Sequence, residues 1–432
     1  MNPGEIEEYL LDFQSRELPE LVGRELQLSE SKKPKSIIGP RRAGKTFFLF
    51  QKMKELLAKG VAKNQIVFLN FEDPRLIGVS FKEVFEIIKL QWRLFPESAG
   101  KELFVFIDEP QNIQSWEIAV RQLCDEGFNV FLTGSSSKLL SKEIASSLRG
   151  RSVSYFLLPF SFREFLKAKN LAVSSPMINS KTKALALSLL DEYLEFGGFP
   201  EIVLEKSNSE KLRIASEYFN LLVYRDLVER YKIKNTSVVK SLIKAAIASF
   251  AKEFSTHKTF LALKSQGLKL SKNTLYSYIS MIEESAFLFF VPKFDYSVRK
   301  QQASIKKAFL CDVIFSKISE SSANTGRKLE NTVFLELLRK KPLGEIFYWK
   351  NIQGQEVDFV LKENNNITEL IQVCESLADL QTKKRETDAL LKASKELKCN
   401  SLTIISQSLK KQESVEGKTI QYKPLLDFLL EN

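Results

Sequence analysis

An α/β fold built on a parallel sheet is what this 432-residue sequence predicts. Three observations carry the expectation. Apolar runs of strand length, such as Ile66-Val-Phe-Leu69, Leu103-Phe-Val-Phe-Ile107 and Val130-Phe-Leu132, alternate with helix-length stretches. Continuous runs of this kind suit strands covered on both faces by helices. A glycine-rich loop, Gly39-Pro40-Arg41-Arg42-Ala43-Gly44-Lys45-Thr46, lies between a β-branched run and a helical pattern. Finally, Asp108 and Glu109 stand where the run Leu103–Ile107 ends, the end of a strand at which open α/β sheets bind ligands.

Taken in order, residues 5–29 are expected to be helical, with Ile6, Leu10, Leu11 and Phe13 on one face. Ser36-Ile37-Ile38 reads as the first strand. The loop after it fits G-x-x-x-x-G-K-[ST]. Its glycines let backbone N–H groups turn inward on a triphosphate, Lys45 reaches the β- and γ-phosphates, and the Thr46 hydroxyl ligates Mg²⁺. Gly39 to Phe47 are therefore the expected nucleotide contacts. The next strand ends at Asn70 in a polar turn, residues 80–95 read as a helix, and Leu103–Ile107 leads to the carboxylates. Asp108 can hold Mg²⁺ with Thr46, and Glu109 can orient and deprotonate the attacking water. At the end of Val130–Leu132, Thr133 and Ser135 can sense the γ-phosphate or cap a turn. Arg149 or Arg151 can neutralise transition-state charge or pair on the surface; Arg151 is taken into the candidate catalytic set.

Composition bounds the rest. Apolar residues make up 44% of the chain and charged residues 27%, as in ordinary globular proteins. No window is long and apolar enough for a membrane span, and the N-terminus lacks a signal-peptide pattern, so a cytoplasmic protein without membrane contact is expected. With one histidine and four scattered cysteines, neither a His-based metal site nor a Ser-His-Asp triad is expected. Phe, at 33 residues, should dominate the cores. A net charge of +11 favours an acidic partner, nucleic acid first, although a solvated lysine surface would give the same count.

Ile38–Thr46, Asn70-Phe-Glu-Asp-Pro-Arg75, Phe106-Ile-Asp-Glu-Pro-Gln111, Leu132-Thr-Gly-Ser-Ser, Leu158-Pro-Phe-Ser-Phe-Arg-Glu-Phe165, Tyr193-Leu-Glu-Phe-Gly-Gly-Phe-Pro200 and Tyr224-Arg-Asp-Leu227 follow one another in this order. Together they resemble archaeal and bacterial AAA+-superfamily ATPases that carry a C-terminal domain of unknown function. The resemblance covers most of the chain and implies ATP and Mg²⁺ as ligands. The expected organisation is a P-loop ATPase core of AAA+ type (1–165), a helical lid (166–235), a winged-helix-like module (236–312) and a small restriction-endonuclease-like α/β domain (313–432).

The third part rests on helices at 237–252, Thr256–Ser265 and Ser271–Glu283, followed by the strand Phe287–Val291 and the basic pairs Arg299-Lys300 and Lys306-Lys307. DNA contact is expected through residues 255–310, with Lys272, Asn273, Tyr276 and Tyr278 near the groove-facing side; a helical module for protein contacts has the same pattern. The last part pairs a helix with strands over Glu345–Lys350, Glu356–Leu361 and Thr368–Cys374. Glu330 and Asp358 fit a PD-(D/E)xK nuclease core, but Gln372 and Cys374 stand where it needs a carboxylate and a lysine. An inactive nuclease-like domain follows, with Glu369 on the opposite strand face. The functional expectation is ATP hydrolysis coupled to movement on DNA or a DNA-bound partner. A slow nucleotide switch recruiting a protein, and an ATP-regulated nuclease, are the alternatives. Homo-oligomerisation stays open.

Overall fold

The computed structural model describes residues 2–134, 152–172, 180–318 and 325–431. Ser135, Arg149 and Arg151 lie outside these residues. The chain divides into two compact units, 1–157 with 284–286, and 158–283 with 287–432.

The first unit is organised by a five-stranded parallel sheet. Its strands are β1 (Lys35–Ile38), β2 (Ile66–Asn70), β3 (Phe104–Asp108), β4 (Asn129–Gly134) and β5 (Val153–Phe156), in the order β2-β3-β4-β1-β5. Side chains alternate across the sheet, so each apolar run feeds two cores. Val67, Leu69, Val105, Ile107, Val130 and Leu132 pack on one face with α1 (Pro3–Ser15), α3 (Val84–Leu94) and α4 (Trp116–Asp125). Ile66, Phe68, Phe106 and Phe131 pack on the other with α2 (Lys45–Ala58). Phe106 and Phe131 stack at 4.5 Å between ring centroids, and Phe13 and Phe50 flank Phe68. Phenylalanine thus fills much of this face of the sheet.

The helix expected over 5–29 ends at Ser15 instead. Arg16 is extended, and Pro19 forces Leu18 away from helical dihedrals. The following segment runs back to the loop. Gln51 brackets Arg24 through its backbone at 2.7 and 3.1 Å, and the buried Arg24 guanidinium donates to the Ala43 carbonyl at 2.8 Å.

The second unit begins with α5 (Phe162–Ala168), α6 (Ser180–Phe196), α7 (Pro200–Leu204) and α8 (Asn208–Leu221), the last continuing as a π-helical stretch over Leu222–Glu229. Next come α9 (Thr236–Ala248), β6 (Lys252–Phe254), α10 (Thr256–Ser265), α11 (Lys272–Glu284), β7 (Leu288–Val291), α12 (Val298–Ala303) and β8 (Lys306–Leu310). β8 is the central, antiparallel strand of a three-stranded sheet in the order β6-β8-β7. The C-terminal part runs α13 (Thr325–Lys340), β9 (Ile346–Lys350), β10 (Glu356–Glu363), β11 (Asn366–Val373), α14 (Leu380–Leu397), β12 (Leu402–Ser406), β13 (Lys411–Val415), β14 (Lys418–Pro424) and α15 (Leu425–Leu430). Its mixed six-stranded sheet has the order β13-β14-β12-β11-β10-β9, with β12 parallel to β11.

Helix α13 is the spine of this unit, buried without interruption from Lys328 to Leu337. Its Asn331 side chain pairs with both backbone groups of Leu310 on β8, at 2.8 and 3.1 Å. Arg327 closes the C-terminal end of α9 by donating to the Ala248 and Phe250 carbonyls.

The Phe-Gly-Gly-Phe-Pro stretch is a buried junction of the second unit. Asp312 accepts from the Gly198 N–H at 2.7 Å and the Ile314 N–H at 3.0 Å. Burial nevertheless pushes this carboxyl up to about 7. Gly197 has φ +74°, and a Cβ on it would sit 1.6 Å from Asp312 Oδ1. Gly197→Ala is therefore expected to cost about 3 kcal/mol or more in urea unfolding, since strain and a clash coincide. Gly23→Ala, where an added Cβ meets nothing within 4 Å, should stay within about 0.5 kcal/mol of the parent. Equal stability of the two variants would show that the junction is not packed in this way.

Candidate nucleotide-hydrolysis site

The loop between β1 and α2 is shaped by its glycines and by one left-handed arginine. Gly39 passes so close to the start of the next segment that a Cβ would lie 2.1 Å from the Leu157 carbonyl oxygen. Arg42 (φ 66°) and Gly44 (φ 91°) turn the chain into α2. Gly44 is the N-cap of α2 and supplies no side-chain cap. The first N–H to bond within the helix is that of Phe48, to the Gly44 carbonyl at 2.9 Å. The N–H groups of Lys45, Thr46 and Phe47 precede it at the open start of the helix, the arrangement that attracts phosphate oxygens.

Lys45 is buried, and its ammonium donates to the carbonyls of Gly39 and Pro40 at 3.2 and 2.9 Å. Thr46 Oγ1 donates to Asp108 Oδ2 at 2.8 Å. β4 lies between β1 and β3 in the sheet, so its end falls between the loop and the carboxylates. From there the Thr133 hydroxyl donates to Asp108 Oδ1 and accepts the Glu109 N–H at 3.2 Å. Asp108 is thus held by one hydroxyl on each oxygen. Burial pushes its carboxyl up to about 6, with neighbouring Glu109 adding to the rise, while the Thr133 and Thr46 hydroxyls and the Lys45 charge hold it down.

Glu109 leaves the strand in a left-handed conformation (φ 53°), with Pro110 starting a short 3₁₀ turn. Gln111 Nε2 donates to the Glu109 carboxylate. The structure therefore gathers Lys45, Thr46, Asp108, Glu109 and Thr133 at one end of the sheet. Arg41 reaches to 3.9 Å from Glu72, and Phe47 is 51% exposed beside Phe50. Gln111 and Arg24 were not singled out from sequence. Gln111 had a signal in its place two residues after Glu109; Arg24 had none, since it lies in a segment that reads as helix.

Of the C-terminal residues, Asp358 and Gln372 do meet: the Asp358 N–H donates to Gln372 Oε1 at 3.3 Å, and Gln372 Nε2 donates to Glu386 at 2.5 Å. Glu369 turns to Thr403, 2.6 Å away. Cys374 is buried, and burial pushes its thiol up to about 12, so it supplies neither a cation nor a thiolate. Lys307, grouped above with the basic pairs, is 2% exposed and so belongs to the interior. Among the described residues, no group of three or more His, Cys, Asp and Glu side chains is arranged to hold a metal, and no helix is long and apolar enough to cross a membrane.

A parallel sheet with this loop and these strand-end carboxylates defines a P-loop nucleoside-triphosphatase fold. Residues 31–166 match the AAA domain family. Residues 187–315 and 325–426 match two domains of unknown function, DUF8612 and DUF4143. An uncharacterized protein of Methanocaldococcus jannaschii is 38% identical over 92% of this chain and 87% of its own length. An uncharacterized protein of Haemophilus influenzae is 30% identical over 94% of this chain and 96% of its own. The chain belongs to this archaeal and bacterial family of AAA+ P-loop ATPases with a C-terminal DUF4143 domain. Among solved structures, a DNA polymerase III gamma-subunit-related protein of Thermotoga maritima is similar at 14% identity and a TM-score of 0.24, over 72% of this chain and 96% of that one, an overlay too low to carry an argument.

The Asp108 surroundings give a pH prediction. Its ionised form is the one that binds a cation, and its pKa lies above the ordinary aspartate value. ATP turnover at limiting Mg²⁺ should therefore fall as pH drops through about 6. Thr133→Val removes a hydrogen bond that favours the carboxylate, so the acidic limb should move to higher pH. A pH–rate profile whose limb is the same in both proteins would contradict the assignment.

Proposed function

We propose that this protein hydrolyses ATP with Mg²⁺ and uses the cycle to act on DNA or a DNA-bound partner. The observation that carries the ATPase reading is the union of Thr46, Asp108, Thr133 and Glu109 at one sheet end. A hydroxyl and a carboxylate 2.8 Å apart are hard oxygen donors of the kind Mg²⁺ takes, so the residues fit the ion. Held by Thr46 and Asp108, Mg²⁺ would supply charge neutralisation across the β- and γ-phosphates.

The chain's own groups account for the rest. Lys45 gives up its bonds to the loop carbonyls and turns its charge to the phosphates. The N–H groups at the start of α2 fix the phosphate oxygens. Glu109 accepts a proton from the attacking water, and its backbone, held by Thr133, sets where that carboxylate can reach. Gln111 restrains the Glu109 carboxylate and so helps position it. Helices over 166–235 are proposed as the lid that couples the nucleotide state to movement.

The DNA reading rests on the 236–312 segment. Three longer helices and a three-stranded antiparallel sheet, in the order helix, strand, helix, helix, strand, short helix, strand, support a winged-helix reading. Lys272, Asn273 and Tyr276 are exposed on α11, and Arg299 and Lys300 are exposed on α12. Positive charge beside an exposed aromatic suits a nucleic-acid surface.

Duplex DNA should raise ATP turnover several-fold, and the stimulation should fade with added salt as phosphate contacts are screened. Lys272→Ala with Arg299→Ala should reduce the stimulation and leave DNA-free turnover unchanged. Turnover indifferent to duplex and single-stranded DNA at low salt would favour the protein-recruiting switch. Plasmid cleavage in Mg²⁺ or Mn²⁺ that is lost in Asp358→Ala would favour the nuclease.

A further inference from the structure

The nuclease-like part of the chain has an acidic cluster, and the cluster already contains a cation. Lys307 projects from β8 into it. Its Nζ lies 2.8 Å from Glu330 Oε1, 2.6 Å from Glu356 Oε1 and 2.9 Å from Asp358 Oδ1. Glu330 comes from α13, and Glu356 and Asp358 come from β10. The lysine is 2% exposed, Asp358 6% and Glu330 9%.

We infer that Lys307 takes the place of a divalent metal in this domain: an ammonium delivered by β8 occupies the point on which Glu330, Glu356 and Asp358 converge, and closes the site.

Further contacts hold the cluster from several sides. Asp358 uses its second oxygen to accept the Val373 N–H at 2.9 Å. Glu356 uses its second oxygen to hold Lys350, 3.1 Å away, which also reaches Glu253 of β6 at 2.9 Å. The Tyr348 ring lies 5.7 Å from the Lys307 ammonium, and its hydroxyl donates to the Ile305 carbonyl at 2.6 Å and to Glu253 at 3.2 Å. Gln372, where a nuclease would carry its second carboxylate, is tied to Glu386.

The charge count is consistent with a substituted cation. Burial alone would drive an ammonium toward its neutral form, yet the carboxylates hold Lys307 well above its ordinary value. One positive charge does less than a divalent ion would, and Glu330 shows the shortfall: burial and the neighbouring Asp358 push it up to about 8. An ammonium also offers three donors, here used on three carboxylates, so this one has none left for a phosphate oxygen. The same side chain pins β8 to α13 and β10, so silencing the site and fastening the 236–312 segment to the C-terminal domain are one interaction.

Mn²⁺ alone is the probe, with the full-length, nucleotide-free protein. The parent and Asp358→Asn should bind the same number of Mn²⁺ ions, because the C-terminal cluster takes none while Lys307 is present. Lys307→Met should melt at least about 5 °C lower. Millimolar Mn²⁺ should recover part of that loss, and the recovery should vanish in Lys307→Met/Asp358→Asn. More Mn²⁺ bound by the parent than by Asp358→Asn would overturn the inference whether or not Lys307→Met folds. So would a Lys307→Met protein that melts like the parent, or one whose melting ignores Mn²⁺.

Discussion

A carboxylate at the end of a buried strand must be given partners, and the first unit is built around how Asp108 finds them. Left alone, a buried ion of this kind costs several kcal/mol. Here Thr46 from the loop helix and Thr133 from the strand between take one oxygen each. This requirement fixes much else. β4 must separate β1 from β3, so that its end can supply a hydroxyl. The loop must turn tightly enough to bring Thr46 across, which is why Gly39 runs against the Leu157 carbonyl and Arg42 and Gly44 take left-handed dihedrals. Glu109 then leaves the strand with its backbone tied to the same threonine. A network sets the position, and burial that the hydroxyls only partly offset leaves the carboxyl at about 6.

The second unit meets the same electrostatic problem differently. Glu330, Glu356 and Asp358 converge in the interior, and a lysine of the chain neutralises them. The contrast between the two acidic centres is chemical. Hydroxyls around Asp108 leave a carboxylate whose oxygens can exchange partners. An ammonium within 3 Å of three carboxylates ties one oxygen of each. One centre is suited to a cycle and the other to a fixed joint.

Much of the first unit was legible because its signals are local. A buried parallel strand reads as an unbroken apolar run, and the phosphate loop is a contiguous string. Thr133 was visible as a hydroxyl at a strand end, but its hold on Asp108 and Glu109 depends on which strand lies beside which, and strand order is not written in any one segment. The helix expected over 5–29 failed because apolar spacing outweighed Pro19 in the reading. In sequence Lys307 is only half of a basic pair, since a lysine's burial depends on carboxylates 23 to 51 positions away. The long helix α14 and strands β12 to β14 were passed over, their charged and apolar residues giving a weaker pattern than the P-loop unit. Gln372 and Cys374 were informative as departures, whereas the cation that closes the cluster came only from the fold.

The central claim is that ATP is hydrolysed at the loop between β1 and α2. Its most direct test is phosphate release from ATP by purified Lys45→Ala, beside its circular dichroism spectrum and melting curve. Loss of the ammonium that bonds the Gly39 and Pro40 carbonyls should drop turnover by at least about 100-fold in a protein that keeps the parent's spectrum. Turnover at the parent rate in a folded Lys45→Ala protein would place the hydrolysis elsewhere and contradict the account.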